Sequence, residues 1–142
     1  MKLLPAETLP EDLRWAGASE PVAQAFAALA AAVEEFGALA LGPEVRARVR
    51  AELDAWNGED PGLGRNWVEG PLAELEDKIK PDGRLALLAA LAPYQVDEAA
   101  IRAFRGHDTD DERLLGGLAW ASFSAARVIG RWLSEAPNQT VS

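Results

Sequence analysis

Glu59 and Asp60 lie beside glycines in the stretch 58–66, GEDPGLGRN, just past a predicted helix end. Carboxylates in such a loop can take or give a proton. The chain's single imidazole, His107, is the other group that titrates near neutral pH. A carboxylate within direct or one-water reach of that imidazole would make an acid–base pair. Each residue also has a purely structural reading. Glu59-Asp60 reads as a solvated turn, and His107 as a loop residue ahead of a helix cap. Arg127 interrupts an Ala-rich, inward-facing stretch. A buried guanidinium needs acidic or carbonyl partners. It is expected to pair with a carboxylate from another helix or subunit.

Composition removes whole classes of chemistry. There is no cysteine, so disulfides, thiolate nucleophiles and thiolate-bound metals are absent. One histidine and no cysteine leave only carboxylates as metal ligands, and no ligand spacing is present. No P-loop, GxGxxG or HExxH occurs, and neither a metal nor a cofactor is implied. The formal charge of −9, from 23 acidic and 14 basic residues, argues against non-specific nucleic-acid binding. No run approaches about 18 uninterrupted apolar residues, and the first residues hold no signal-peptide core. The expectation is a cytoplasmic protein that does not engage a membrane. Asn138-Gln139-Thr140 matches a glycosylation sequon, a chance match without a secretion signal. Five tryptophans against one tyrosine point to core or interface packing.

The elements that must position these groups read as helices throughout. The stretch 109–136 is the longest. Thr109 can cap it and Glu112 can return the bond, with Asp110 and Asp111 in the first turn. Leu114, Leu118, Ala121, Ala125, Val128 and Trp132 recur at steps of three and four. Leu115, Ser122, Ile129 and Leu133 widen that stripe, which predicts a central helix with neighbours on several sides. An Ala-rich helix runs from Ser19 to about Leu41, with Pro21 in its first turn. A one-face helix carrying Val45, Val49, Leu53 and Trp56 starts at Pro43 and ends at Asn57-Gly58. A weak helix carries Trp67, Val68, Leu72, Leu75 and Ile79. The segment GRLALLAALA, almost continuously apolar, predicts a helix buried on most sides. Asp97 to Phe104 makes a short helix. No segment alternates with period two. The sum is one all-α domain over 1–142, with 1–18 as an N-terminal arm and 137–142 as a tail.

The order of these segments resembles AhpD-like and carboxymuconolactone-decarboxylase-like proteins. Trp56-Asn57-Gly58 is similar to the Leu-Asn-Gly that closes a helix there, just before the redox cysteines. The segment 83–91 resembles their arginine-then-leucine helix. VDEAAIRAFRGHDTDDE at 96–112 resembles their paired short phrases, and Phe123, Ala126, Arg127 and Val128 resemble their final helix. The resemblance covers about 42–136. It implies an AhpD-like orthogonal helical bundle of about six to seven helices. It also implies a homo-oligomer (dimer, trimer or hexamer). In the peroxidase-linked members a Cys-x-x-Cys pair follows the Asn-Gly, with a histidine four residues on. The matching positions here are Glu59, Gly62 and Asn66, so the implied peroxidase chemistry lacks its thiolates. What remains is a pocket near residues 57–66 for a small apolar or acidic ligand, with Asn66 and Arg127 as candidate contacts. The alternative is a cofactor-free, decarboxylase-like acid–base enzyme using Glu59 or Asp60 with His107.

Overall fold

The computed structural model describes residues 20–106 and 110–135. The arm and the tail assigned from sequence, Thr109 and His107 lie outside the described residues. Among those residues there are six α-helices, three short 3-10 turns and no strand. The helices are α1 (Glu20–Ala40), α2 (Pro43–Ala55), α3 (Glu69–Leu72), α4 (Lys80–Leu91), α5 (Glu98–Arg105) and α6 (Asp111–Glu135).

α4 holds the centre. Gly83 and every residue from Leu85 to Ala90 are buried, because α4 packs on α2, α5 and α6 together. A helix apolar on all sides is stable only when surrounded. α2 is the contrasting case. It buries Val45, Val49 and Leu53 on one face and leaves arginines and glutamates outside. Asp97 caps α5 by accepting the Ala100 N–H at 2.9 Å, and Phe104 seats that helix in the core. Asp110 accepts the Glu112 N–H at 2.9 Å, so an aspartate serves the start of α6. Arg113 ties α4, α5 and α6 together. It donates to Asp82 and to the Phe104 carbonyl, both at 2.9 Å, and stacks 4.0 Å over the Phe104 ring.

α1 and α6 pair antiparallel. Phe36 and Ala40 meet Gly116 near the start of α6, whereas Glu34 meets Trp120 and Arg127 further along it. The crossing is close because Gly37 has no side chain. A Cβ there would stand 2.3 Å from the Trp120 ring. Trp120 is fully buried in the space this glycine leaves.

Two expectations are corrected. The weak helix over 67–79 is broken into a 3-10 turn (Asn66–Val68), α3 and a second 3-10 turn (Asp77–Ile79). Gly70-Pro71 lowers helix propensity, and four residues of α3 suffice to bury Leu72. The second correction concerns α6. Its inner face, with Gly116, Trp120, Ala121, Ala125 and Val128, is buried. The stripe expected to widen that face, Leu115, Ser122, Ile129 and Leu133, is exposed instead. α6 does have neighbours on several sides, α1, α2, α4 and α5, and only this stripe is left over. The central helix is α4.

Candidate functional site

α2 ends at Ala55, and the chain enters a loop that carries Glu59 and Asp60. Gly58 takes a positive φ of 90°, a conformation that suits glycine, and the Trp132 ring lies 3.2 Å from where its Cβ would be. Trp56 packs against Trp132 with ring centroids 5.4 Å apart. The Trp56 indole then donates to the Glu59 carbonyl at 2.9 Å, and Asn57 Oδ1 accepts the Glu59 N–H at 3.0 Å. The Glu59 backbone is therefore fixed, while its side chain is exposed.

Asp60 is bound more tightly. Its Oδ1 accepts the Gly62 N–H at 2.8 Å and the Tyr94 hydroxyl. The Tyr94 hydrogen bond, then the Gly62 bond, hold this carboxyl below the usual carboxylate range. The same contact pushes the Tyr94 phenol up. The proton stays on the tyrosine. A carboxylate stabilised in its charged form is a weaker base.

Gln95 is the hub beneath the loop. It is 7% exposed, the buried polar side chain among the described core residues. Its Nε2 donates to the Gly62 carbonyl at 2.7 Å and to the Gly64 carbonyl at 3.1 Å. Its Oε1 accepts the Trp67 indole N–H at 3.2 Å. Arg65 donates to the Gln95 carbonyl at 2.7 Å and pairs with Asp97, the cap of α5. The amide's two donors and one acceptor are all used, which meets the requirement of a buried polar group. Sequence reasoning missed Gln95 and Tyr94. The available signal was a lone amide between the apolar run 85–92 and the Asp97 that caps the next helix.

The candidates from sequence occupy separate surroundings. Asn66 is exposed at the start of a 3-10 turn. Arg127 is on α6, 4.0 Å from Glu34 of α1. That one carboxylate also takes Arg50 of α2 at 2.7 Å and the Trp120 indole at 3.2 Å. Arg127 thus has the carboxylate from another helix that its charge requires. Glu59 and Asp60 belong to the loop network, and His107 lies outside the described residues. Among the described residues no group of three or more acidic or imidazole side chains could hold a metal ion.

An alkyl hydroperoxide reductase of Mycobacterium tuberculosis is 42% identical to this chain over 139 residues, 98% of the chain and 40% of that relative. The chain belongs to the AhpD-like family. It spans about two fifths of the length of the relative it matches. No family model matches it, and no solved structure matches it. The six packed helices agree with an AhpD-like bundle. This AhpD-like chain has no cysteine, so a thiolate nucleophile and a resolving thiol are both missing. Where the family resemblance expects the thiols, Glu59 is an exposed carboxylate. Gly62 has its N–H bonded to Asp60 and its carbonyl to Gln95.

Proposed function

We propose that this AhpD-like chain is a non-redox, cytoplasmic binding or structural unit that works as a homo-oligomer. The loop network supports this reading. Every strong polar group of Gln95 is used to hold residues 62, 64 and 67, and Tyr94 holds Asp60. The loop at the position of the family's redox centre is tied down as architecture. An open groove lies between α1 and α6. That groove measures about 590 Å3 and is lined by Phe36, Leu39, Leu115 and Ala119, with Asp110 and Glu112 on its rim.

The test is hydroperoxide turnover. Pure protein, given a reducing thiol or dihydrolipoamide, is expected to consume no alkyl hydroperoxide above the buffer rate. Robust, stoichiometric reduction without an added thiol protein would sink the reading.

The second reading is an acid–base enzyme using His107 with Glu59. The tight hold on Asp60 favours Glu59 over Asp60 in that role, since Glu59 keeps an uncommitted, exposed side chain. In that case His107→Ala would abolish turnover and leave the helical content intact. Normal turnover by that variant would remove His107 from the chemistry.

A further inference from the structure

Phe36, Leu39, Ala40, Leu115, Gly116 and Ala119 form the apolar lining of the groove of about 590 Å3 between α1 and α6. Leu39 is 78% exposed, Leu115 63% and Phe36 56%. The helical period carries both banks of this groove onward. On α1, Val22, Ala25 and Leu29 precede Phe36 and Leu39 as exposed apolar positions. On α6, Ser122, Ala126, Ile129 and Leu133 follow Leu115 and Ala119, and all are exposed. α1 and α6 pair antiparallel, so the two ridges run side by side. Each is about 26 Å long at 1.5 Å per residue.

The charges beside the groove have one sign. Asp110 and Glu112 stand in its lining. Glu35 is exposed on α1, four residues before Leu39 and therefore beside it on the helix surface. Among the described residues, neither the Glu35 nor the Glu112 carboxylate has a hydrogen-bond or ion-pair partner. Arg113 is the basic residue of the lining, and its guanidinium is committed to Asp82, the Phe104 carbonyl and the Phe104 ring. α1 carries Glu20, Glu34 and Glu35 and no lysine or arginine. On α6, Arg127 turns to Glu34, which also takes Arg50 and the Trp120 indole. The start of α6 adds about half a positive charge, less than the carboxylates of Asp110 and Glu112 together.

We propose that this groove binds a basic amphipathic helix of another protein, laid along α1 and α6 with its apolar face down and its lysines or arginines over Glu35, Asp110 and Glu112. Length and charge select this occupant. A helix of about 18 residues is about 27 Å long and covers both ridges. A small molecule filling the groove of about 590 Å3 would leave Leu29, Ile129 and Leu133 exposed. A second copy of this chain, with its formal charge of −9, would set the same carboxylates against each other. Anionic lipid is repelled likewise, although α1 has the length and composition to span a bilayer. The chain's own residues 1–19 hold Lys2 and Arg14 against Glu7, Glu11 and Asp12, which is the wrong net sign. The inference rests on the binding part of the proposed function and names a partner for it. Peroxidase activity would remove the non-redox reading and leave the helix site standing. A failed helix site would leave the peroxide result unchanged.

The probe is a dye-labelled peptide of about 18 residues, with leucine on one helical face and lysine on the other. Its twin carries glutamate in place of lysine. Fluorescence anisotropy with the full chain at about 0.15 M salt is expected to show saturable one-to-one binding of the lysine peptide and none of the glutamate peptide. Leu39→Asp and Leu115→Asp each replace an exposed side chain, so circular dichroism is expected to show the fold intact. Each is expected to weaken binding about tenfold, as loss of an apolar anchor does. Glu35→Lys with Glu112→Lys is expected to weaken it several-fold and to flatten its salt dependence. Leu63→Asp, at a leucine 96% exposed on the 57–66 loop, is the control and leaves binding unchanged. Failure of the lysine peptide to saturate overturns the proposal. So does equal binding of the glutamate peptide, or a loss in Leu63→Asp as large as in Leu39→Asp. Three further results give the groove another occupant and overturn it as well. These are dimerisation of the wild-type chain that Leu39→Asp abolishes, binding to anionic vesicles that Leu39→Asp abolishes, and peptide binding that emerges only when Leu3, Leu4 and Leu9 are all changed to Asp.

Discussion

Gly116, Trp120, Ala125 and Val128 line the inner side of α6 and are buried; Leu115, Ser122, Ile129 and Leu133 line its outer side and are exposed. Both series follow the helical period along the same helix. What separates them is the neighbour. The inner series meets α1 where Gly37 opens room for a full indole, and meets α4 where almost every residue is apolar. The outer series stays exposed. Apolar periodicity therefore shows that a face seeks a partner, and the partner's own sequence decides whether it lies within the chain.

The largest expected effect is on the inner side. Trp120→Ala removes a fully buried indole, its bond to Glu34 and its contact under Arg50 at 5.3 Å. The cost is about 3–5 kcal/mol, read by urea denaturation. Leu133→Ala, on the outer side, is expected to change the stability of the monomer by less than about 0.5 kcal/mol. If Leu133→Ala unfolded dilute monomer as readily as Trp120→Ala, the contrast between the two faces would collapse.

A smaller effect is expected at the loop. Gln95→Ala leaves the Trp67 indole and the Gly62 and Gly64 carbonyls without their partner. Gly62 and Gly64 are exposed, so water can replace part of what is lost. The cost is about 1–3 kcal/mol in urea denaturation. The substitution is also expected to speed amide exchange across 57–67 while α6 keeps its protection. Uniform loss of protection in both places would mean that the loop and the bundle are one cooperative unit.

Elements with a single strong signal were legible from sequence. α2 runs from Pro43 and stops before Asn57-Gly58, and α4 is buried on most sides as its almost continuous apolar run requires. α1 ends at Ala40, one residue short of the expected limit. The outer stripe of α6 was legible as apolar but not as exposed, because only the placement of α1 and α4 consumes one face and spares the other. The Trp120 cavity depends on Gly37, more than eighty residues away, and no local pattern links them. The loop network failed to show for a similar reason. Tyr94 and Gln95 follow α4 in sequence, and only the fold brings them under residues 60–67.

The smallest effect is a pH response that separates the loop from the core. Asp97 is held below the usual carboxylate range by the Ala100 N–H and then by Arg65, as Asp60 is by Tyr94 and Gly62. Their unfolded value is 3.8. A lowered folded pKa contributes stability that is complete above 3.8 and is lost as pH falls through the folded values. Asp82 runs the other way. Burial raises it, with Arg113 only partly offsetting that, so its ionisation costs stability as pH rises from 3.8 upward. Mild acid therefore relieves Asp82 before it releases the loop. The Trp67 indole N–H, bonded to Gln95, reports the loop by NMR. Its resonance is expected to hold as pH is lowered to 3.8 and to move only below that. Asp60→Asn removes one of the two charged acceptors, leaving Asp97 to set the remaining acid response. A wild-type transition centred above 3.8 would show that the loop is gated by some other group, and the hold of Tyr94 on Asp60 would no longer explain its rigidity.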